Sequence, residues 1–473
     1  MMQLIPGEAP HEKHFDTQAK DLVHPATADN DAKDGHAVSR MIKGSTQHKP
    51  PNMDGEGLAG ILVHPLSLFL LCLPFGILAH YLEWGKIWTF WLIFFAMIPL
   101  AKILGDATEE LAAGLRNDML AGLLNATFGN VVELVLTVQT MREGLYDVVK
   151  ATLLGSVLSN MLLVLGMSFF FGGIVASAHG KPKPIDSPDG KIVEMVNVSS
   201  IKMERSLSGE KEPVSYSAFQ AEKVQRFGVL GALVNISMLL LSCLSFVIVT
   251  IFHTVTHVDG IPSTEQSLLP VSRICSLVMI SSYGAYVFFQ LGTHRTALAD
   301  DEGEGDEEDE EEATLSLTAA TVLLACTTCL VAFCSEILVE AIRGVTEAAH
   351  MSEHFIGIVL LPIIGNACEH AAAVRFAIRD KLGLSIGIAV GSSTQISLFA
   401  VPFSVLAGWM LHRPMDLDYG ALNTSVMTVS VVVVLSMVVD GQSNWLQGYL
   451  LMCAYVVIAI CYWHLPNELP ELD

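Results

Sequence analysis

The chain has 473 residues, of which 52% are hydrophobic and 16% charged, with a mean hydropathy of +0.50. Soluble domains carry about 25% charged residues, so an ordinary soluble enzyme is excluded. The net charge of −23 gives no footing for a nucleic-acid partner.

Residues 1–57 are polar, with Pro, Asp, Lys and His scattered through them, and read as a disordered cytoplasmic tail without an evident secretory signal peptide. Apolar runs of about 20 residues, the length that crosses a bilayer, then recur along most of the chain. Eleven spans are expected, near 61–82, 86–104, 118–141, 148–174, 226–252, 271–292, 314–340, 354–376, 383–410, 421–440 and 444–464. The expected fold is an all-α polytopic membrane protein whose partner is the lipid bilayer. Oligomeric state is not readable from the pattern.

The segment 58–292 holds a leading helix and five further spans, with a cytoplasmic loop at 175–225. A linker at 293–313 follows, and eleven of the thirteen residues from Asp300 to Glu312 are acidic. The segment 314–465 holds the last five spans, and 466–473 is a C-terminal tail. The nine cysteines lie in apolar segments and read as small buried hydrophobes. With the N-terminus in the cytoplasm, 20 of the 26 Lys and Arg residues fall on the cytoplasmic side. That bias supports this orientation.

Two spans carry the same motif. The first reads Gly129-Asn130-Val131-Val132-Glu133 and the second Gly365-Asn366-Ala367-Cys368-Glu369, 236 residues later. The same offset places Gly155-Ser156 on Gly391-Ser392. Spans 2–6 and 7–11 therefore read as two repeats of five helices. An odd number of crossings inverts the second copy, an architecture that places transporter sites near the bilayer midplane.

A carboxylate at the bilayer centre costs about 2.5–3.5 kcal/mol even on a mild insertion scale. A chain bearing that cost at matched positions uses the two groups together. Glycine lets a neighbouring backbone approach, and Asn and Glu three residues apart share a helix face. Two facing turns offer two carboxylates and two amide oxygens. Calcium takes about six to eight oxygens, and no Cys/His pattern favours a softer metal. Glu133, Glu369, Asn130, Asn366, Gly129 and Gly365 are therefore candidate cation-site residues. His370 is a candidate proton-sensitive neighbour. Ser156, Ser159, Ser392 and Gln395 line the same region or bond neighbouring helices. Two ionised glutamates repel and are poorly solvated, so a divalent cation or protons must cancel them. Competition for one alternating site gives antiport of a divalent cation, Ca²⁺ or another, against H⁺ as counter-ion, with no cofactor.

The motifs Gly-Asn-Val-Val-Glu-Leu and Gly-Asn-Ala-Cys-Glu-His resemble the paired signatures of the cation/proton exchanger family, the vacuolar calcium/proton antiporters of fungi, plants and protists. The likeness extends to Gly105 through Leu111, Leu154 through Gly166, Ala389 through Ser397 and Asp440 through Leu446, and covers most of residues 60–465. It implies one leading helix plus two inverted five-helix repeats. It also implies Ca²⁺ export from the cytosol into a vacuole or other acidic organelle, with Glu133 and Glu369 binding the ion. Asn130, Asn366, Ser392 and Gln395 supply surrounding oxygens on that reading. Two departures are visible: Cys368 stands where Ala is more usual, and Lys102 where the family often has an acidic residue.

Glu109, Glu110, Glu336 and Glu340 sit near span ends, either along an access path or at the membrane interface. Asp306, Glu307, Glu308, Asp309, Glu310, Glu311 and Glu312 form either a solvated spacer or a segment that gathers Ca²⁺ at the cytoplasmic mouth. Alternatives are a sodium-coupled calcium exchanger, an exchanger preferring Mn²⁺, a channel, and an intramembrane aspartyl protease. The last would need Tyr146-Asp147 to meet Asp306, which lies in the acidic run rather than in a helix.

Overall fold

The computed structural model describes residues 53–115, 120, 121, 124, 127–179, 224–258, 264–294 and 313–466. The acidic residues 306–312, residues 1–52 of the tail and residues 180–223 of the loop lie outside the described residues.

Helix α1 (Met53–Leu62) reaches back into the segment read as tail. It ends at His64-Pro65, because a residue before proline is driven out of the helical region. The His64 side chain caps the next turn, a 3₁₀ helix over Pro65–Leu71 with proline at its start. This turn leads into α2 (Cys72–Tyr81), and the pair is bent by 77° from α1. Then come α3 (Lys86–Gly114), α4 (Val131–Arg142), α5 (Tyr146–Leu158) and α6 (Leu165–His179). A π-helical turn, Ser159–Val164, joins α5 to α6. Helices α7 (Leu230–Val258) and α8 (Thr264–Phe288) complete the first half.

The second half begins with α9 (Leu317–Ala349). The short α10 (Glu353–Phe355), a π turn at Ile356–Leu360 and α11 (Leu361–Gly365) run to a 63° break before α12 (Ala367–Ile378). Helix α13 (Leu382–Gln395) passes through a second π turn, Ile396–Ala400, into α14 (Val401–Met410). Helices α15 (Gly420–Val438) and α16 (Trp445–Trp463) close the chain. Among the described residues, eight helices are long and apolar enough to cross a membrane, and two bent pairs meet the same test. The first part of the span expected at 118–141 lies mostly outside the described residues, so the described spans reach ten rather than the expected eleven.

The 236-residue repeat holds in the backbone. It carries α4 (Val131–Arg142) onto α12 (Ala367–Ile378), and the starts of α5 and α6 (Tyr146, Leu165) onto those of α13 and α14 (Leu382, Val401). Even the left-handed residue after each half-helix matches, Gly144 at φ +74° and Asp380 at φ +62°.

Two apolar cores divide the helices. One joins α3 and α9, which pack along each other more than any other pair. The other joins α5 to α8 with α13 to α16. Helix α5 crosses the chain before the second break closely. A β-carbon on Gly155 would run into the backbone of Ile358, and one on Gly357 into Ala151. One short β pair departs from the all-α expectation: β1 (Gln225–Arg226) runs antiparallel to β2 (Gln442–Ser443), in register Gln225↔Ser443. The turn before β2 uses Gly441 at φ +65°. Asn444 then caps α16 in a reciprocal box with Gln447, which accounts for the Asp440–Leu446 signature locally.

Candidate cation site at two broken helices

Each Gly-Asn pair is a backbone break. Asn130 has φ −105° and ψ 19°, and Asn366 has φ −89° and ψ 11°. Both lie in the sparsely allowed bridge region, where active-site residues are often found. Neither side chain caps its own helix, so both reach across the molecule. Glu133 and Glu369 each fall in the first turn of the half-helix that follows. The positive end of a helix dipole favours a carboxylate there.

The two halves exchange contacts. Asn130 Nδ2 donates to Gln395 Oε1 of α13 (2.8 Å), and Asn366 Nδ2 donates to the Ser156 carbonyl of α5 (3.2 Å). Asn160 Nδ2 donates to Ser392 Oγ (2.9 Å), again between the halves. The Oε1 atom of Glu133 stands where a β-carbon on Gly365 would project. Glu369 lies within electrostatic reach of Glu133 and of Glu109. His370 Nδ1 donates to the Asn366 carbonyl at 2.5 Å, which leaves Nε2 facing Ser159 Oγ at 3.4 Å.

These bonds use the nitrogens and leave oxygens over. Glu133 Oε2, Glu369 Oε2, Asn366 Oδ1, Asn160 Oδ1 and Ser156 Oγ are buried with no hydrogen-bond partner. Glu133 is 2% exposed, and a buried ionised carboxylate is costly unless something compensates it. Among the described residues, no three His, Cys, Asp or Glu side chains gather into a metal cluster. The donor set is instead two carboxylates with amide and hydroxyl oxygens, a chemistry that suits hard divalent cations. Gly129 sits at the first break beside Asn130.

Of the remaining expected residues, Glu109 lies within electrostatic reach of Glu369, and Glu110, Glu336 and Glu340 make other contacts or face outward. Glu109 is exposed on α3. Glu110 accepts from Thr314 N, Thr314 Oγ1 and Leu315 N, each at 2.7–2.8 Å, and so anchors the start of the second half. Glu336 and Glu340 are exposed on α9, with Glu340 at 3.9 Å from His80 Nδ1. Asn160 belongs to the polar stretch from Leu154 to Asn160 that the sequence offers as a possible site lining, but its repeat equivalent is Ile396, so the internal comparison did not single it out.

Comparison with known proteins follows the same lines. The sodium/calcium exchanger protein family matches residues 85–201 and 319–463. Vacuolar cation/proton exchanger 5 of Arabidopsis thaliana is 36% identical over 460 residues, 94% of this chain and 93% of that protein. Vacuolar cation/proton exchanger 1b of Oryza sativa subsp. japonica is 36% identical over 410 residues, 85% of this chain and 81% of its own. The solved structure of YfkE superposes with a TM-score of 0.63 at 29% identity, over 85% of this chain and 100% of that one. The H⁺/Ca²⁺ exchanger CAX shares the fold at 12% identity, with a TM-score of 0.52 over 87% of this chain and 92% of its own.

Proposed function

We propose that this chain, which belongs to the cation/proton exchanger family, moves Ca²⁺ out of the cytosol in exchange for lumenal protons at one site shared by Glu133 and Glu369. The family is one of transporters rather than enzymes, and the chain is a multi-pass integral membrane protein. Its relatives are named vacuolar cation/proton exchangers, and YfkE is a Ca²⁺/H⁺ antiporter. The observation that carries the reading is the set of orphaned oxygens around two carboxylates, one from each matched half-helix.

The physical argument is charge cancellation. Two buried carboxylates are expensive to carry bare. A divalent cation satisfies both together with the Asn and Ser oxygens, and protons satisfy them in its absence. A site that crosses loaded or protonated, but not bare, couples the two flows. The two half-helices pack into different apolar cores: Val132 and Leu136 of α4 in the α3–α9 core, and Ala373 and Ala377 of α12 in the other. Sliding of one core along the other would open the site to alternate sides. With the N-terminus in the cytoplasm, the membrane is that of a vacuole or other acidic organelle.

Proteoliposomes with an imposed pH gradient test this. Uptake of ⁴⁵Ca²⁺ driven by the proton gradient, and not by an equal Na⁺ gradient, is the expected result. Uptake that follows Na⁺ would assign a sodium-coupled exchanger instead. Preference for Mn²⁺ in the same vesicles would replace the substrate while keeping the coupling.

A further inference from the structure

One partly buried ion pair on a membrane-capable helix is left without a role by this reading. Lys102 lies near the middle of the 29-residue α3, and its ammonium pairs with the carboxylate of Asp106 one turn on. The two side chains are 17% and 26% exposed. Charged residues on membrane-spanning helices face the bundle interior and pair with one another.

The pair sits beside the cation site. Ala101 and Gly105, each one residue before a member of the pair, form the surface against which Cys368 packs. The Cys368 thiol lies 3.7 Å from the Ala101 carbonyl and 3.1 Å from where a Gly105 β-carbon would stand. Cys368 is the neighbour of Glu369, and Lys102, Asp106 and Glu109 all lie within electrostatic reach of its thiol. A lysine carries a compact ammonium on a flexible four-carbon stem. Tethered this close to a site with two carboxylates, it is a competitor for any incoming cation, present at high effective concentration.

We infer that Asp106 is a positioning residue for cation uptake: it holds the Lys102 ammonium on α3, off the two-glutamate site, and so keeps that site open to a divalent ion. The inference rests on the two-glutamate reading above. Without the Asp106 carboxylate, the acidic groups left around the Cys368 thiol are Glu369 and Glu109, and on this inference the freed ammonium turns to the Glu369 end of the site. It cancels one of the two charges there and excludes the substrate. With both partners removed, neither competitor nor restraint remains.

Initial rates of ⁴⁵Ca²⁺ uptake against Ca²⁺ concentration, in proteoliposomes with a fixed pH gradient, test it. Asp106→Asn should raise the apparent KM about tenfold, the order of a charge–charge interaction in a partly buried site, with Vmax retained. Adding Lys102→Met to Asp106→Asn should return KM to within about threefold of the parent. Lys102→Met alone should leave KM at or below the parental value. An unchanged KM in Asp106→Asn overturns the inference. So does a double variant as impaired as the single, which would make the pair structural. If Asp106→Asn does not fold, a raised KM in Lys102→Met alone is equally fatal. Glu133→Gln and Glu369→Gln are run in the same vesicles. Persistent uptake in either defeats the two-glutamate reading itself, whereas lost uptake there with no Asp106 effect defeats this inference alone.

Discussion

The carboxylate of Glu133 lies on the backbone of Gly365: its Oε1 fills the space into which a side chain at that glycine would project. The acidic group of one half thus rests on the helix break of the other. The two motifs, 236 residues apart in sequence, form one contact surface.

Gly365→Ala follows directly. The atom in the way is the end of a flexible side chain, so the protein folds and Glu133 moves. A displacement of that size removes a ligand from its place. The expected result is normal yield and monodispersity in detergent, with gradient-driven Ca²⁺ uptake reduced at least about tenfold. Parental uptake would show that the contact does not position Glu133.

Gly155 and Gly391 occupy equivalent places in the repeat, yet they meet different surroundings. A β-carbon at Gly155 strikes the main chain of Ile358, whereas one at Gly391 meets nothing within 4 Å. Gly155→Ala should destabilise by at least about 1–3 kcal/mol, the cost of overpacking where the obstacle is backbone. Gly391→Ala should be neutral or slightly stabilising, because alanine is the better helix former by about 1 kcal/mol. Thermal unfolding of the two purified variants, compared with the parent, distinguishes them. Equal behaviour would contradict the asymmetry.

Glu110 tests the difference between an access-path carboxylate and an anchor. It accepts three hydrogen bonds from Thr314 and Leu315 at the start of the second half. Glu110→Ala should lower stability by about 0.5–1.5 kcal/mol, the net worth of a typical hydrogen bond where water can replace the lost acceptor. The apparent KM for Ca²⁺ should stay within about twofold of the parent if anchoring is its role. A large KM change with unaltered thermal stability would restore the access-path reading.

The spans and the repeat were legible because apolar length and a fixed offset are linear properties of the chain. Glu133 and Glu369 stood out for the same reason: each is a carboxylate in a lipid-length apolar run, and each has a partner at the same offset. What escaped notice depends on distant residues meeting. The helix Met53–Leu62 is polar enough to pass for tail, yet Asp54 accepts from Ser316 N and Oγ at 2.7 and 2.9 Å. Asn160 lacks a repeat partner, and its importance comes from Ser392 across the interface. Lys102 is visible in the sequence as a departure from the family pattern, but the place of its pair with Asp106 beside Cys368 depends on the second half folding against α3. The β1–β2 pair joins residues 225 and 443, a separation no periodicity reports.

The central claim is that one cation is held jointly by Glu133 and Glu369. Equilibrium binding of ⁴⁵Ca²⁺ to purified protein at a pH above neutrality measures it most directly, with Glu133→Gln and Glu369→Gln prepared alongside the parent and checked for intact folding. The account predicts saturable binding to the parent and its loss in each single variant, because neither half alone supplies enough negative oxygen. Full binding by either single variant would mean that the two carboxylates do not share an ion, and would contradict the account.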